Sequence, residues 1–250
     1  MARLSVCIIT QNEASRIRDC LSSVAWTDEI IVLDSGSEDD TLSICREYTS
    51  HVFVDRDWQG FGVQKNRALS HASGEWVLSL DADERIPPDL RAEIEAVITD
   101  AKSADVYEIP RLSSYCGREI LHSGWRPDYV ARLFRRSSAA FSDDVVHERL
   151  VFESKPGQLH HSILHRSFDS LEQVLDKVNR YSSASAEKLF SQQKKSSLPT
   201  AVFRGLWAFF RTYVLKAGFL DGREGFLLAV SNAEGVYYKY LKLLYLDEKR

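Results

Sequence analysis

Three carboxylates follow a short apolar run in the first half of this chain. Residues 76–80 have the pattern of a buried strand, and Asp81, Asp83 and Glu84 come directly after them. In an open α/β sheet the carboxyl ends of the strands border the ligand crevice. Carboxylates two residues apart on the turn that leaves such a strand can hold a hard divalent cation, with phosphate and water as its other ligands. We therefore expect a metal and diphosphate site here, and the alternative is a plain polar turn.

Two further strand ends carry polar side chains. Residues 4–10 and 29–33 are apolar and rich in β-branched residues, as is typical of strands buried on both faces. The first run ends at Thr10, and Asp34 follows the second. Asp34 can accept hydrogen bonds from a base or a ribose at this position. A tight turn with a helix cap explains Gly36 and Ser37 without a ligand, but it does not explain Asp34.

A glycine-containing loop leads into a predicted helix that carries two cations. Gly60 and Gly62 begin the segment, and Lys65 and Arg67 follow. Cations at this place can neutralise a diphosphate. For Arg67 we favour a solvated surface position, whereas for Lys65 the two interpretations are equally good.

The elements that position these residues alternate along the first hundred residues. Apolar residues recur at helical spacing after each strand, so strand and helix alternate four times before residue 101. This order predicts an α/β doubly wound sheet whose ligand edge is assembled from Thr10, Asp34 and Asp81. From Asp105 onward, shorter extended segments are expected to line the second half of a pocket.

The segment 105–165 contains candidates for sugar binding and for proton transfer. Trp125 and Arg126 can stack on and hydrogen-bond a sugar, although a buried aromatic cluster explains Trp125 equally well. His147 and Glu148 precede an apolar run, and Glu148 is a candidate general base. Three later histidines lack the partners of a zinc site and are interpreted as surface and core residues: His160, His161 and His165.

The last third of the chain is predicted to be helical, basic and aromatic. Ser170 and Gln173 form a capping pattern at the start of one helix, and residues 198–220 combine aromatic side chains with Arg204 and Arg211. These cations interrupt any span of the roughly 20 apolar residues that a transmembrane helix needs. We favour a segment that lies in the membrane interface. A helix packed on the main domain, or a dimer surface, is the alternative.

Charge and cysteine usage limit the class of protein. Residues 199–250 hold 8 Lys+Arg against 5 Asp+Glu, and the remainder holds 24 against 31, so a tail of +3 follows a body of −7. We expect no nucleic-acid partner, because the cations form no groove-like patch. The four cysteines are far apart and indicate buried thiols in a reducing compartment. Because the N-terminal apolar run is too short for a signal peptide, we expect a cytoplasmic protein.

Four segments taken together resemble glycosyltransferase family 2. They are Ile8-Ile9-Thr10-Gln11-Asn12-Glu13, Val32-Leu33-Asp34-Ser35-Gly36-Ser37-Glu38-Asp39, Gln64-Lys65-Asn66 and Leu80-Asp81-Ala82-Asp83-Glu84. The resemblance implies a metal-dependent inverting transferase with a Rossmann-like GT-A domain and a nucleotide-sugar donor. We then expect a GT-A catalytic domain at 1–165, divided into a nucleotide-sugar-binding half at 1–104 and an acceptor half at 105–165. A helical C-terminal extension is expected at 166–250.

The resemblance also implies donor-binding residues. Lys65 is expected to bind the diphosphate, and Asp81 with Asp83 the ribose, the phosphates and a Mg²⁺ or Mn²⁺ ion. Many family members have two consecutive acids after the second strand, whereas this chain has Asp34-Ser35, so base recognition rests on Asp34 alone. The positions expected to bind the nucleoside are Thr10, Asn12, Glu13 and Asp34.

The acceptor side follows from the same resemblance. The family's catalytic base is a carboxylate downstream of the Asp-x-Asp turn, for which Glu148 fits best and Asp144 comes second. Acceptor contacts are expected from Trp125, Arg126 and His147.

Two later segments resemble a narrower group within the family. Val146-His147-Glu148 and Gly218-Phe219-Leu220-Asp221-Gly222 are similar to bacterial lipopolysaccharide-core β-glucosyltransferases that act on inner-core heptose. This implies glucose transfer from UDP-glucose to a lipopolysaccharide core or other glycolipid, with peripheral contact at the cytoplasmic face of the inner membrane. The alternatives are a same-fold transferase that acts on polyprenyl phosphate or another surface polysaccharide, and a non-catalytic nucleotide-sugar-binding protein.

Overall fold

The computed structural model describes residues 3–142 and 148–248, and it divides into two compact units. Unit 1 comprises Met1–Arg111 and Asp128–His165, and unit 2 comprises Leu112–Pro127 and Arg166–Arg250. Residues 112–127, which were expected in the acceptor half, therefore belong to the same unit as the C-terminal helices.

Unit 1 is built on four parallel strands in the spatial order β3-β2-β1-β4. The strands are β1 (Leu4–Thr10), β2 (Glu29–Asp34), β3 (Val52–Val54) and β4 (Trp76–Asp81). The helices between and after them are α1 (Ile17–Val24), α2 (Thr41–Arg46), α3 (Phe61–Ser70) and α4 (Pro88–Thr99). The predicted alternation of strand and helix is confirmed.

Antiparallel strands extend this sheet beyond β4. A short strand β5 (Glu84–Arg85) follows the Asp81 turn, and β6 (Val106–Tyr115) and a two-residue strand β7 (Arg118–Glu119) follow α4. Strand β8 (Tyr129–Arg135) pairs antiparallel with β4 and with the first half of β6. The sheet is therefore mixed, because the chain returns beside β4 without a crossover helix.

Short strand pairs complete unit 1. Strands β9 (Ala140–Phe141) and β10 (Leu150–Val151) pair antiparallel, and β11 (Gly157–Gln158) adds to β6. Strand β12 (Ile163–Phe168) pairs with β5, so that His165 lies opposite Glu84.

The core of unit 1 covers both faces of the parallel strands. Successive side chains of a strand point to opposite faces, so Val6 and Ile8 of β1 pack on one side and Cys7 on the other. Because both faces are covered, β1, β2 and β4 are almost continuously buried. Burial raises the pKa of the Cys7 thiol to about 12, in keeping with the expected buried thiols.

Unit 2 is mainly helical. Its helices are α5 (Leu171–Ser191), α6 (Leu198–Phe210) and α7 (Gly222–Glu248), with a π-helical turn at Arg211–Leu215 and a 3-10 turn at Gly218–Asp221. The predicted cap is confirmed, because the Ser170 side chain accepts a hydrogen bond from the Gln173 backbone N–H. Across the described ranges, no helix combines the length and apolar character needed to cross a bilayer.

Candidate active site

The register of the parallel strands brings three predicted site residues to one sheet edge. Thr10 pairs with Asp34 across β1 and β2, and Ile9 pairs with Asp81 across β1 and β4. Because the strands are parallel, their carboxyl ends meet at this edge. The fold therefore brings Thr10, Asp34 and Asp81 to one edge, as predicted, and ligand binding at this edge stays a prediction.

Asp81 lies between two cations at this edge. One carboxylate oxygen, Oδ1, is 3.1 Å from Lys65 Nζ, and the other accepts a hydrogen bond from Arg132 Nη2. The same guanidinium nitrogen is 2.8 Å from Glu84 Oε1. Glu84 is fully buried, and its other oxygen accepts from the Asp81 backbone N–H at 3.0 Å. The turn after β4 is therefore held by a compact network of charged groups.

Burial and neighbouring charges act in opposite directions within this network. Burial raises the pKa of Asp81, but the Arg132 guanidinium and the Lys65 ammonium outweigh it and hold that pKa well below its usual range. Burial raises the pKa of Glu84 in spite of Arg132. Burial lowers the pKa of Arg132, yet Asp81 and Glu84 together raise it above its usual value. The buried Arg132 thus forms an ion pair with Asp81, whose side chain is 32% exposed.

Lys65 also contacts the candidate base. Lys65 Nζ is 3.1 Å from Glu148 Oε1, and the Glu148 side chain is 21% exposed. Asp81 and Glu148 therefore share one buried ammonium group, although they are distant in sequence. The exposed part of Glu148 leaves its carboxylate accessible from solvent.

Two residues of α3 fix the segment that carries Glu148. The Asn66 side-chain amide donates to the Phe141 carbonyl at 2.8 Å and accepts from the Phe141 N–H at 2.9 Å. At Gly62, a Cβ atom would lie 1.9 Å from the Ser142 carbonyl oxygen. The close approach of α3 to this segment therefore requires glycine at position 62.

The second aspartate of the turn faces a different set of groups. Asp83 Oδ2 is 3.3 Å from His165 Nε2 and 3.9 Å from Arg16 Nη1. A carboxylate oxygen and an imidazole nitrogen suit a divalent ion such as Mn²⁺, whereas both oxygens of Asp81 already contact cations. Among the described residues, no group of three or more His, Cys, Asp or Glu side chains is arranged to hold a metal. A divalent ion held by Asp83 and His165 would need donor phosphate and water as its remaining ligands.

The predicted nucleoside-binding residues organise the loops at the sheet edge. Asp34 is fully buried, and its Oδ1 accepts from the backbone N–H groups of Gly36 at 2.8 Å and Ser37 at 2.7 Å. Asn12 Oδ1 accepts from the Glu38 N–H at 2.8 Å. The Asp34 carboxylate and the Asn12 side-chain amide thus both stabilise the turn after β2. The turn interpretation of Gly36 and Ser37 is confirmed, and the binding role of Asp34 stays a prediction.

Two of the remaining nucleoside positions differ in their surroundings. The Thr10 hydroxyl is buried and, within residues 3–142 and 148–248, has no hydrogen-bond partner. The Glu13 backbone N–H donates to the Thr41 hydroxyl at 2.8 Å, and the Glu13 side chain is 3.9 Å from Arg16. A buried hydroxyl without a partner has hydrogen-bonding capacity that a ligand at the edge can use.

The predicted acceptor residues are not all described. Trp125 lies in unit 2, where its ring is 6.2 Å from Tyr115 and 6.5 Å from Phe168. Arg126 is exposed in the same unit. Asp144 and His147 lie outside the described residues. The aromatic-cluster interpretation of Trp125 is confirmed, and its contact with an acceptor stays a prediction.

Three residues of this site carry only weak signals in the sequence. Arg132 interrupts an apolar strand, and an arginine between Ala131 and Leu133 is the one local sign of a buried partner. The sequence presents Glu84 only as part of an acidic turn. The expectation of a surface or core position for His165 misses its partner Asp83, which is 82 residues away and which only the β5–β12 pairing brings close.

Asp221, in the second of the two later segments, has a clear role within unit 2. It is 2% exposed and accepts hydrogen bonds from the backbone N–H groups of Leu121 and His122 and from the Ser123 hydroxyl. The His122 ring is 3.1 Å away. Asp221 therefore ties residues 121–123 to the 3-10 turn.

Known proteins are similar in sequence to this chain over most of its length. The model of "Glycosyl transferase family 2" matches residues 5–154. The uncharacterized glycosyltransferase RP128 of Rickettsia prowazekii is 32% identical over 255 residues, which cover 97% of this chain and 87% of that protein. The lipopolysaccharide core biosynthesis glycosyltransferase LpsC of Rhizobium meliloti is 29% identical, covering 92% and 87%.

A solved structure shares the fold over nearly the whole chain. The crystal structure of S. aureus TarS 1-349 superposes with a TM-score of 0.52 at 18% identity, covering 98% of this chain and 92% of that one. This likeness concerns the fold alone. The predicted GT-A type α/β fold with a helical C-terminal region is confirmed.

Proposed function

We propose a function on the premise that this chain belongs to glycosyl transferase family 2, whose model matches more than half of its length. The chain is a glycosyltransferase that uses a nucleotide-sugar donor. In our proposal it is an inverting enzyme that transfers glucose from UDP-glucose to the inner-core heptose of lipopolysaccharide.

One observation carries the proposed chemistry. Lys65 Nζ is 3.1 Å from both Asp81 and Glu148. Asp81 stands at the sheet edge where a donor diphosphate is expected, so Glu148 is within one side-chain length of the reacting centre. A partly exposed carboxylate at this distance is suited to accept a proton from an acceptor hydroxyl.

The proposed reaction is a single displacement. Glu148 takes the proton of the acceptor hydroxyl while that oxygen forms a bond to the anomeric carbon. The bond between this carbon and the diphosphate oxygen breaks, and the nucleoside diphosphate leaves with the electron pair. Attack from the face opposite the leaving group inverts the configuration. A divalent ion held by Asp83 and His165 would stabilise the charge on the diphosphate.

One relative supports the choice of acceptor, and one structural neighbour supports a UDP-sugar as donor. The name of the Rhizobium meliloti relative assigns that protein to lipopolysaccharide core biosynthesis, and it aligns with 92% of this chain. S. aureus TarS 1-349 was crystallised with UDP-GlcNAc, at 16% identity and a TM-score of 0.51. A UDP-sugar and a core oligosaccharide are therefore the first substrates to test. Polyprenyl phosphate and other surface polysaccharides are the competing acceptors.

We further propose peripheral contact of unit 2 with the inner membrane, at its cytoplasmic face. Helix α6 exposes large apolar side chains, with Phe203 71%, Leu206 62% and Trp207 57% exposed. Residues 188–220 contain six Lys or Arg and no Asp or Glu. Exposed aromatic residues beside cations suit the interface of an anionic bilayer. A glycolipid acceptor would then be bound at the surface where it resides.

The donor site is tested by thermal stabilisation. A ligand that binds the native state raises its melting temperature, so UDP-glucose should raise it more than other nucleotide-sugars, and more with Mn²⁺ or Mg²⁺ than without. Asp83→Asn should lose the metal-dependent part of the shift, whereas Asp89→Asn on α4 should keep it. No shift with any nucleotide-sugar would contradict donor binding, and a shift indifferent to metal would contradict the role of Asp83.

The acceptor is tested by transfer assays with two acceptor types. We expect product with a truncated lipopolysaccharide that ends at inner-core heptose and none with polyprenyl phosphate. The reverse result would assign the chain to the competing acceptor class. Tight donor binding without turnover on any acceptor would favour a non-catalytic nucleotide-sugar-binding protein.

A further inference from the structure

Unit 2 contains a cavity between α5 and α7. Its volume is about 380 Å³, within the range of roughly 300–1,000 Å³ that small-molecule sites have. All of its lining residues belong to unit 2, and none of them is part of the sheet-edge site. The cavity therefore needs an explanation of its own.

The deep part of the cavity is apolar. Tyr115 is fully buried and packs edge-on against Phe168, with ring centroids 5.8 Å apart, and Trp125 joins both rings. Val174 and Leu228 of the two helices are each 3% exposed. This apolar surface suits a hydrocarbon chain, because covering it removes apolar area from water.

Gly235 lines the cavity and places no side chain in it. It lies in the interior of α7, where glycine costs about 1 kcal/mol of helix stability relative to alanine. A Cβ atom at this position would meet no atom closer than Val178 Cγ1 at 4.0 Å. Packing therefore does not require glycine here. Position 235 therefore adds no side chain to the cavity, and it has room for one.

Other glycines of the unit 2 helices have steric reasons that Gly235 lacks. A Cβ at Gly205 would lie 3.1 Å from Tyr237 Cβ, and one at Gly225 would lie 2.0 Å from the Gly218 carbonyl oxygen. Gly222 has a φ of +66°, which favours glycine. The contrast indicates that the packing of α7 does not require glycine at position 235, so larger side chains can be placed there to test the cavity.

The charged residues that line the cavity are all cationic. Lys177 of α5 and Lys239 of α7 line it, and no Asp or Glu is among its described lining residues. Lys177 Nζ is 4.7 Å from the centre of the Phe168 ring, which lies in the apolar part. An ammonium group beside a hydrocarbon-lined space suits a ligand with an apolar chain and an anionic head.

We propose that this cavity binds one acyl chain of an anionic lipid. The acyl chain lies between Val178 and Gly235 and reaches the aromatic rings, and the head group pairs with Lys177 or Lys239. This binding does not depend on the transferase reaction, so its test needs no sugar donor or acceptor.

The test uses 12-bromododecanoate, whose bromine quenches tryptophan fluorescence on contact. We expect saturable quenching of the full-length protein, most of which is lost in Trp125→Phe. Trp207→Phe removes the exposed tryptophan of α6 and should leave the quenching in place. Quenching that is lost in Trp207→Phe and kept in Trp125→Phe would overturn the proposal, because it would place the lipid on α6.

Matched variants test the space that Gly235 leaves. Gly235→Phe should weaken binding at least tenfold, whereas Gly235→Ala should bind normally and raise the melting temperature, since alanine favours the helix. Because Gly235→Phe can perturb α7, Val178→Phe fills the same space from α5 and should give the same loss. Unchanged binding in both phenylalanine variants would contradict the proposal.

Two further tests concern the charge of the ligand's head group and the oligomeric state of the protein. Lys177→Gln and Lys239→Gln together should weaken binding of the bromo-acid by about fivefold or more, and dodecan-1-ol should bind more weakly than dodecanoate. Equal binding of the alcohol and the acid would contradict an anionic head group. A concentration-dependent dimer that Gly235→Phe abolishes would make the cavity a surface between two copies of the chain instead.

Discussion

Asp81 is the side chain that contacts most of the charged groups of the candidate active site. Its carboxylate contacts Lys65 on one side and Arg132 on the other, and Arg132 also reaches Glu84. Each carboxylate in such a buried group depends on the shared cations, because an unpaired buried charge is strongly unfavourable. The network therefore both holds the turn after β4 and sets the charge that an incoming diphosphate meets.

Arg132→Met should be among the most destabilising single substitutions in unit 1. It leaves the buried Glu84 without its main cation and removes one of the two cations beside the partly exposed Asp81. Loss of a buried charge partner typically costs about 3–5 kcal/mol. Urea unfolding measures the loss in the free energy of unfolding. The control is Arg91→Met, which breaks an exposed pair with Glu95 and a contact with the Trp26 ring and should cost less than about 1.5 kcal/mol. Equal losses in the two variants would show that the buried network contributes little.

Glu148→Gln should separate catalysis from donor binding. The amide cannot take up the acceptor proton, and loss of a general base typically lowers kcat by about 10² to 10⁴-fold. The thermal shift with UDP-glucose should persist. Glu153→Gln, at an exposed position nearby in sequence, should retain full transfer. Unchanged transfer by Glu148→Gln would assign the base to Asp144.

At the scale of elements, short strands and turns decide which distant residues meet. The pairing of β5 with β12 brings His165 beside Asp83, and the 3-10 turn at Gly218–Asp221 holds residues 121–123 through Asp221. Neither contact involves a long helix or a central strand. Positioning of polar residues in both units therefore depends on elements of two to six residues.

Asp221→Asn should change stability in a pH-dependent manner. Burial raises the pKa of Asp221, but hydrogen bonds from Ser123 and His122 outweigh it, and the folded-state pKa is below the usual value. Such a carboxylate stabilises the fold above its unfolded pKa of about 3.9, and this contribution is lost as the pH falls through the folded-state pKa.

The pH dependence is measured by urea unfolding of wild type and variant. Asp221→Asn should lower the free energy of unfolding by about 1.5–3 kcal/mol near neutral pH, and the difference should shrink as the pH falls below about 4. Asp176→Asn on the exposed side of α5 should show no such trend. A difference that grows on acidification would have the wrong sign for a lowered pKa.

At the scale of the whole molecule, the two units carry different surfaces. Unit 1 presents acidic and basic residues at the edge of its sheet, whereas unit 2 exposes apolar side chains on α6 beside cations. Exposed apolar patches of this kind mark interaction surfaces in proteins. We propose that unit 1 carries out the transfer reaction and that unit 2 contacts lipid.

Membrane contact predicts binding to anionic vesicles. The protein should co-sediment with vesicles that contain phosphatidylglycerol, less at high salt, and weakly with pure phosphatidylcholine. Phe203→Ser combined with Trp207→Ser should weaken binding by about a hundredfold or more, because each buried aromatic contributes about 1.5–3 kcal/mol. Leu175→Ser removes an apolar residue of α5 that is 55% exposed and serves as the control. Equal binding to both vesicle types would contradict an electrostatic contribution.

Local sequence patterns are sufficient to predict the parallel half of the fold and much of the sheet edge. Apolar strands such as residues 76–80 and helical periodicity are properties of short segments. Parallel strands bring their carboxyl ends together whatever side chains they carry. Thr10, Asp34 and Asp81 can therefore be assigned to one edge from the amino-acid sequence alone. The resemblance of the first hundred residues to a transferase family follows from the same short segments.

The partners of these residues depend on tertiary packing. Arg132 beside Asp81, His165 beside Asp83 and Lys65 beside Glu148 join residues 51 to 83 positions apart. The cavity at Gly235 is likewise defined by the packing of two helices. Residue type and local spacing encode which groups can react, but long-range packing decides which of them meet, since contacts across such separations leave no periodic pattern in the sequence.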